Sequence, residues 1–252
     1  YMYIDRICYR LPTKIAEKLG GQINGDRKKK KSRSIQRSLT PHLDCCPDTF
    51  FDKNDTATAK TETKKWRPIQ CFVSLTDNLE ANTGGFEAAK GFHKDFQQWS
   101  QTRVPTIVIQ KNKDGSRTNT EIPIPAACVG EYTHMRPKED RDVMDRVCHI
   151  PVPAGSAVFW DNRIPHSNAY THNGTIPRAV VYCSFLPDVE LNRCYVQNQL
   201  LNYKQNRPVK DQWNHINDDV VNDVDDVGDQ QKKHHYNFTS LGRKLMGIDT
   251  WI

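Results

Sequence analysis

The sequence predicts a mostly β fold, arranged as a sandwich or a barrel. Three segments, at residues 66–75, 150–160 and 178–186, have the alternating or densely apolar character that is typical of strands. Glycine- and proline-containing turns separate these segments, and short strands between such turns favour a double-sheet architecture. The chain has 252 residues, which is enough for one large domain with a buried core.

The first 40 residues contain a predicted short helix from Pro12 to Leu19 and then a basic segment. Residues 26–37 hold seven basic residues and one acid, which account for the formal net charge of +6 of the whole chain. Duplex binding usually needs a basic stripe across a whole domain, so we interpret Lys28–Lys31 as part of a solvated loop and expect no nucleic-acid partner. A localisation signal, or a loop that attracts an anionic substrate, is the alternative.

The residues from Trp66 to Leu75 alternate with the period of two that predicts a half-buried strand. A turn follows at residues 76–85, where the Gly84-Gly85 pair permits backbone angles that other residues resist. Residues 101–149 contain several prolines and a turn signal, and we expect an insertion or a lid there. The apolar density of residues 178–186 indicates a strand that is buried on both faces.

The composition becomes polar after Pro187. Residues 218–229 contain six aspartates, which predict an acidic linker. Apolar residues at helical spacing, behind Thr239 and Ser240 as caps, then predict a short terminal helix. We therefore expect a β domain at residues 1–187, with the insertion at about 101–149, and a C-terminal extension at residues 188–252.

Composition also bears on the cellular location. No apolar run approaches the roughly 20 residues that a membrane-spanning helix needs, so a membrane-spanning protein is excluded. The eight cysteines include the adjacent Cys45 and Cys46, and no secretory signal accompanies them, so we expect reduced thiols and a cytoplasmic location. The chain begins at Tyr1 rather than methionine, which is also consistent with a fragment.

Three residues form a candidate metal site. His42 and Asp44 are two positions apart, and on an extended segment such residues face the same side, so both can reach one ion. A second histidine, His166, follows the strand that is predicted to end near Trp160. Two histidines and one carboxylate leave coordination positions open and form the ligand set of non-haem Fe(II) oxygenases.

Arg178 lies 12 residues after His166, at the start of a predicted strand. A guanidinium pairs bidentately with a carboxylate. Arg178 is therefore a candidate anchor for a cosubstrate that has a free carboxylate.

In this order, the motifs resemble the phytanoyl-CoA dioxygenase-like family of Fe(II)/2-oxoglutarate-dependent dioxygenases. The matching pieces are His42-x-Asp44, Gln70-Cys-Phe-Val-Ser-Leu-Thr-Asp77, Asn82-Thr-Gly-Gly85, Gly91-Phe-His-Lys94, Pro153-Ala-Gly-Ser156, His166 and Arg178. The resemblance covers residues 41–187. It implies a double-stranded β-helix, which is a jelly-roll or cupin-like barrel, with flanking helices.

The resemblance also implies a function. Fe(II) would be bound by His42, Asp44 and His166, and Arg178 would hold the distal carboxylate of 2-oxoglutarate. Asn168, two residues past the distal histidine, would contact the same cosubstrate. The enzyme would use O₂ to hydroxylate a small molecule and release succinate and CO₂, with ascorbate in support.

The N-terminal segment departs from the pattern of that family, because the stretch before His42 is shorter than usual. Gln22 and Asn24 are the nearby candidates for a further contact with 2-oxoglutarate. A binding protein on the same fold, without turnover, is the alternative function. The sequence indicates neither the substrate nor the oligomeric state.

Other histidines and cysteines have simpler interpretations. His93 is expected to be a core histidine rather than a ligand, and His234-His235 suits a solvated tail. Cys45 and Cys46 lie beside the candidate ligands, and thiolates bind transition metals well. A zinc or iron–sulfur site would need further cysteines at ligand spacing, and none lies near them.

Overall fold

The structure, a computed structural model, describes residues 1–23, 40–45, 47, 68–103, 106–112, 114–122, 128–129, 132–205 and 237–251. Its strands are β1 (Met2–Arg10), β2 (His42–Leu43), β3 (Ile69–Ser74), β4 (Phe86–Ala89), β5 (Thr106–Lys111), β6 (Arg117–Ile122), β7 (Cys128–Val129), β8 (Tyr132–His134), β9 (Val147–His149), β10 (Ala157–Asp161), β11 (His166–Asn168) and β12 (Arg178–Phe185). Its helices are α1 (Thr13–Ile23), α2 (Phe96–Thr102), α3 (Arg141–Met144), α4 (Glu190–Lys204) and α5 (Ser240–Leu245), with a short 3₁₀ helix at Phe92–Lys94. The predicted mostly β composition is confirmed.

Most strands belong to two antiparallel sheets. A four-stranded sheet has the order β1-β12-β3-β10, and a six-stranded sheet has the order β7-β8-β2-β11-β4-β9. β5 and β6 form a separate hairpin. Among the described strands no pairing joins the two larger sheets, so they form two layers and do not close into one barrel.

The two sheets pack against each other through an apolar cluster. Phe72, Trp160 and Val180 belong to the four-stranded sheet, and Phe86 and Ala88 to the six-stranded sheet. The ring centroids of Phe72 and Phe86 are 5.3 Å apart, in the edge-to-face geometry that aromatic pairs favour. Because side chains alternate along a strand, residues two positions from these core residues also face the space between the sheets.

A second apolar cluster covers the outer face of the six-stranded sheet. Leu43 of β2 packs there with Phe92 and Phe96 from the helical segment after β4. Since Leu43 faces outward, the side chains of His42 and Asp44 on either side of it point toward the inner face.

The strand predictions differ in outcome along the chain. The predicted strands at residues 66–75 and 178–186 are confirmed as β3 and β12. The sequence does not predict β1, because a register shift between Ile4 and Ile7 interrupts its pairing with β12 and removes the period of two. Nor does it predict α4, whose largely polar sequence hides a buried side that includes Tyr195, Val196 and Gln199.

The segment at residues 101–149 contributes strands to the six-stranded sheet and also forms the β5–β6 hairpin. β7, β8 and β9 all belong to the six-stranded sheet. β8 pairs with β2 so that His134 lies opposite His42. The segment therefore helps to position a candidate ligand. Its role as a lid, and the domain boundary at residue 187, stay predictions.

The glycines of the turn before β4 are required for two different reasons. Gly84 has a φ angle of 75°, in the left-handed region that favours glycine. At Gly85, a Cβ atom would overlap the side-chain oxygen of Asn78. The turn therefore needs glycine at position 84 for its positive φ angle and at position 85 because a side chain would overlap Asn78.

The terminal helix is confirmed as α5. The Thr239 hydroxyl accepts a hydrogen bond from the Gly242 N–H at 3.1 Å and caps the helix. Met246, just after the helix, is buried.

Several sequence features lie outside the described residues. They are the basic run at residues 26–37, the acidic segment at 218–229, Asn24, Cys46, His234 and His235, together with the side chain of Gln22. Within the described part of the chain, no helix has both the length and the apolar character needed to cross a membrane.

Candidate metal and anion site

The side chains of His42, Asp44 and His166 meet on the inner face of the six-stranded sheet. His166 of β11 lies directly opposite His42 of β2 in the antiparallel register. Residues opposite each other on neighbouring strands point to the same face, and Asp44 follows His42 by two positions. We call these three residues the metal-ligand group. Their role as ligands is a prediction that the fold permits.

The metal-ligand group is compact enough for one ion. One potential ligand atom from each residue lies within 4.8 Å of the others. Asp44 Oδ1 is 3.7 Å from His42 Nε2, and Asp44 Oδ2 is 3.5 Å from His166 Nε2. Both histidines are 6% exposed. Among the described residues, this is the one cluster of His, Cys, Asp and Glu with such spacing.

Hydrogen bonds fix which nitrogen of each imidazole faces Asp44. His42 Nδ1 is 2.9 Å from the Thr40 carbonyl oxygen, and His166 Nδ1 is 2.9 Å from the Ile164 carbonyl oxygen. A carbonyl can only accept, so each Nδ1 donates and each Nε2 is the ring nitrogen that faces the carboxylate. A backbone carbonyl behind the ring is a common support for a metal-binding histidine.

Burial keeps His42 in the neutral form. Burial and the neighbouring His166 lower the pKa of His42 to about 4, although the Asp44 carboxylate opposes this shift. At neutral pH the ring is therefore an unprotonated imidazole, which is the form that binds metal ions.

Gln70 orients the carboxylate from the facing sheet. Its side-chain Nε2 donates a hydrogen bond to Asp44 Oδ2 at 2.6 Å. Gln70 is buried on β3, two positions before Phe72, and so lies on the inner face. Sequence reasoning assigned no role to Gln70, because the apolar alternation along β3 marks the opposite face as the buried one. In the structure Ile69 and Val73 of that face are exposed, and the buried inner face holds Gln70 and Phe72.

The neighbouring cysteine and the other candidate histidine lie elsewhere. Cys45 is buried in the outer apolar cluster with Leu43, and its carbonyl oxygen accepts a hydrogen bond from the Thr133 hydroxyl at 2.9 Å. His93 lies in the 3₁₀ helix and does not belong to the metal-ligand group. Neither side chain competes for an ion bound by the group.

Arg178 lies on the facing sheet as a buried cation. It is 1% exposed, and its guanidinium lies over the Phe72 ring at 5.3 Å from the centroid. Its Nη1 donates to the Tyr182 hydroxyl at 3.4 Å, whereas its buried Nη2 has no hydrogen-bond partner in the described part of the chain. No carboxylate of a described residue lies within salt-bridge distance of it. An uncompensated buried charge is costly, so this position favours an anionic ligand.

Asn168 lies on the same strand as His166 and contacts Tyr182, which in turn contacts Arg178. It follows His166 by two positions on β11, so the two side chains share a face and lie about 7 Å apart along the strand. Its amide oxygen and nitrogen are 3.4 and 3.5 Å from the Tyr182 hydroxyl. We call Arg178, Asn168 and Tyr182 the arginine group. Tyr182 was not identified from the sequence, although its spacing of four from Arg178 on one strand predicts a shared face.

The two groups differ in the ligand that each can bind. Two imidazoles and one carboxylate can bind a divalent metal and leave coordination positions open. A guanidinium can bind a carboxylate in a charge-assisted pair. Apolar rings line the space beside them, since the centroids of Trp160 and Phe86 lie 5.2 and 5.8 Å from that of His166.

Comparison with family models gives a match to the Gig2-like family over residues 53–247, well over half of the chain. Comparison with curated proteins gives no match.

Solved structures with a similar fold have low sequence identity. GlcNAc Inducible Gene 2, GIG2 (DUF1479), from Candida albicans is 17% identical with a TM-score of 0.52, and the match covers 81% of this chain and 47% of that one. The hypothetical protein JW0805 from Escherichia coli is 15% identical with a TM-score of 0.55, over 84% and 53% of the two chains. A protein named "Putative Oxidoreductase from Salmonella typhimurium LT2" is 13% identical with a TM-score of 0.55, over 96% and 55%. The chain therefore spans about half the length of these proteins, and the likeness shows the fold alone.

These comparisons correct the family expected from the motifs. The family model assigns the chain to a different family from the phytanoyl-CoA dioxygenase-like proteins, so that expectation is wrong. The physical reason is that a His-x-Asp pair, a distal histidine and an arginine are few residues of common types. Such a set does not distinguish one family from another. The chain belongs to the Gig2-like family.

Proposed function

We propose that the protein is an Fe(II)- and 2-oxoglutarate-dependent oxygenase that hydroxylates a small molecule. The supporting observation is the buried Arg178 guanidinium, which has no carboxylate partner among the described residues, beside a buried His-Asp-His group. A metal would satisfy the metal-ligand group, and an anion would satisfy the arginine group. A ligand that binds the metal at one end and has a carboxylate at the other would satisfy both, and 2-oxoglutarate has this form.

The strand order supports a double-stranded β-helix. Without the β5–β6 hairpin and the strands β7 and β8 at one end of the six-stranded sheet, eight described strands remain, which can be numbered I to VIII along the chain. They form two four-stranded units with the orders I-VIII-III-VI and II-VII-IV-V. An eight-stranded, two-sheet arrangement of this kind is typical of a jelly roll.

The metal-ligand group suits Fe(II) better than a structural zinc ion. Structural zinc sites have four ligands, often cysteines, whereas the described residues here supply two histidines and one carboxylate. This ligand set leaves coordination positions for a cosubstrate and O₂. The carbonyl oxygens behind the histidines and the Gln70 amide hold the three side chains in place.

The chain's own residues would bind and orient the reactants. Bound Fe(II) and 2-oxoglutarate would together supply O₂ activation, with succinate, CO₂ and a hydroxylated product as the outcome. The metal-ligand group would hold the ion, and Arg178 with Asn168 would orient the cosubstrate through its distal carboxylate. The rings of Phe86 and Trp160 would exclude water from the space beside His166.

Two further points support the class of reaction and of substrate. One solved structure of similar fold is named an oxidoreductase, which agrees with an oxygenase but does not specify the reaction. We propose a small molecule as the substrate, and an anionic one if Lys28–Lys31 attracts it. Ascorbate would support activity by keeping the iron reduced.

The test is release of succinate from 2-oxoglutarate by the protein supplied with Fe(II), ascorbate, O₂ and a panel of small molecules. We expect succinate from the wild type and from His93→Ala, and none above background from His166→Ala. His93→Ala is the matched control, because His93 lies outside the metal-ligand group. Failure to bind Fe(II) would reject the proposal. Binding of Fe(II) and 2-oxoglutarate without succinate from any substrate would favour a non-catalytic binding protein instead.

A further inference from the structure

A second arginine, Arg10, is buried beside Arg178. The two residues lie directly opposite each other in the antiparallel pairing of β1 with β12, so their side chains point to the same face. Cys8 lies two positions before Arg10 on β1 and accepts a hydrogen bond from Arg178 Nη1 at 3.7 Å. This contact shows that the face of β1 that includes Cys8 and Arg10 is the face next to Arg178.

Two cations lie on one buried face, where they repel each other. Arg10 is 7% exposed and Arg178 is 1% exposed. Like charges directly opposite each other destabilise a sheet, and burial increases the cost. Burial lowers the pKa of Arg10 and Arg178 lowers it further, whereas Glu87 opposes the shift. Burial and Arg10 also lower the pKa of His172, which therefore adds no charge at neutral pH. Among the described residues, Glu87 is the carboxylate that acts on Arg10.

The head of Arg10 lies close to the arginine group. Its Nη2 donates to the Tyr170 carbonyl oxygen at 2.6 Å, and Tyr170 follows Asn168 by two residues. The position of a Cβ atom on Gly84 would be 3.3 Å from Arg10 Cδ, so the glycine leaves room for this side chain. Arg10 and Arg178 therefore approach the end of β11 from two neighbouring strands.

We propose that Arg10 is a second anion-binding residue, and that Arg10 and Arg178 together select ligands with a distal carboxylate. This inference rests on the proposed function, since the ligand concerned is the cosubstrate. A carboxylate has two oxygen atoms with about four lone-pair sites, so it can accept hydrogen bonds from two guanidiniums at once. Bound between them, it also offsets the repulsion between the two arginines.

The test compares two ligands that differ only at the distal end. 2-Oxoglutarate and 2-oxopentanoate share the 2-oxo acid group, but 2-oxopentanoate has a methyl group in place of the distal carboxylate. Their dissociation constants are measured by calorimetry with the Mn(II)-loaded full chain, which binds without turnover. The measured quantity is the Kd of 2-oxopentanoate divided by the Kd of 2-oxoglutarate.

We expect Arg10→Met to lower this ratio by about tenfold or more, because it weakens the binding of 2-oxoglutarate alone. Methionine preserves much of the apolar stem of arginine without its charge. Arg10→Lys keeps the charge without the planar fork and should give an intermediate ratio. Arg6→Met is the matched control on the same strand: its side chain is 53% exposed, and the ratio should not change.

An unchanged ratio in Arg10→Met, or equal weakening of both ligands, would overturn the inference and leave Arg10 as a residue that only holds Tyr170. If Arg10→Met does not fold, the same criterion is applied to Arg10→Lys. The ligand preference of the wild type distinguishes failure of the Arg10 inference from failure of the proposed function. If the Mn(II)-loaded wild type does not prefer 2-oxoglutarate to 2-oxopentanoate, the cosubstrate assignment itself is wrong, whatever the role of Arg10.

Discussion

The metal-ligand group and the arginine group are neighbours, but the protein satisfies their polar atoms to different degrees. His42 and His166 each contact a backbone carbonyl, and Asp44 accepts a hydrogen bond from Gln70. Arg178 has weak contacts, and among the described residues its buried Nη2 has no hydrogen-bond partner. The polar atoms of the first group are therefore better satisfied than those of the second, and we proposed above that an anionic ligand completes the second.

The strands under the two groups also differ. β2 has two residues and depends on its neighbours β8 and β11, whereas β12 has eight residues and pairs along its length with β1 and β3. β8 is fixed by Arg103, whose Nη2 donates to the His134 carbonyl oxygen at 2.6 Å and to Asp140 Oδ2 at 3.0 Å. The metal-ligand group should thus be sensitive to distant buried contacts that leave the arginine group intact.

The largest expected effect is the loss of metal binding when a candidate ligand is removed. His42→Ala or His166→Ala should lower the affinity for Fe(II) or Mn(II) by more than about 100-fold, since even outer-shell partners of a ligand contribute 10- to 100-fold. Anaerobic titration calorimetry measures the affinity, with His93→Ala as the control. Parental affinity in both variants would show that the ligand assignment is wrong.

The second expected effect is on folding. Asp140 is buried, and its carboxylate accepts hydrogen bonds from Trp99, from Arg103 and from the Arg136 backbone N–H. Asp140→Asn leaves Arg103 as a buried charge without its counterion, so we expect a loss of about 3–5 kcal/mol in the free energy of unfolding.

Urea denaturation measures this loss. The matched control is Asp145→Asn, which removes an exposed pair with Arg141 and should cost less than about 1 kcal/mol. Equal losses in the two variants would show that the Asp140 network does not support β8.

The third expected effect concerns the arginine group alone. Arg178→Lys keeps the charge but not the planar fork, so the affinity for 2-oxoglutarate should fall by about 1.5–3 kcal/mol while metal affinity stays at the parental value. Calorimetry measures the metal affinity on the metal-free variant and the affinity for 2-oxoglutarate on the metal-loaded variant. An unchanged affinity for 2-oxoglutarate would move the anchor to another residue.

The smallest expected effect comes from changing the orientation of the Asp44 side chain. Gln70→Leu removes the 2.6 Å hydrogen bond to Asp44 and should weaken metal binding by about tenfold. The loss should be smaller than in either histidine variant and should not change the preference for 2-oxoglutarate over 2-oxopentanoate. A loss as large as that in His166→Ala would make Gln70 more than an orienting residue.

The sequence predicts some parts of this site and not others, for physical reasons. The strands β3 and β12 are predictable because their alternation or apolar density is local, and His42 and Asp44 are recognisable from their spacing. Arg10 is not, because its proximity to Arg178 depends on the pairing of strands that are far apart in the chain, and a register shift obscures β1.

The family shows that a short set of site residues does not identify ancestry. His42, Asp44, His166 and Arg178 are residue types that any site for a metal and a carboxylate would need. They therefore indicated a plausible chemistry but the wrong family, which the match over residues 53–247 corrects.

The central claim is that one ligand joins the two groups, and three related ligands test it most directly. 2-Oxoglutarate has both ends, 2-oxopentanoate lacks the distal carboxylate, and glutarate lacks the 2-oxo group. Affinities are measured by calorimetry for the Mn(II)-loaded wild type, the metal-free wild type and Mn(II)-loaded Arg178→Lys. We expect metal removal to weaken 2-oxoglutarate and 2-oxopentanoate much more than glutarate, and Arg178→Lys to weaken 2-oxoglutarate and glutarate but not 2-oxopentanoate. If metal removal and Arg178→Lys instead weaken the same ligands to the same extent, the two groups do not bind opposite ends of one molecule.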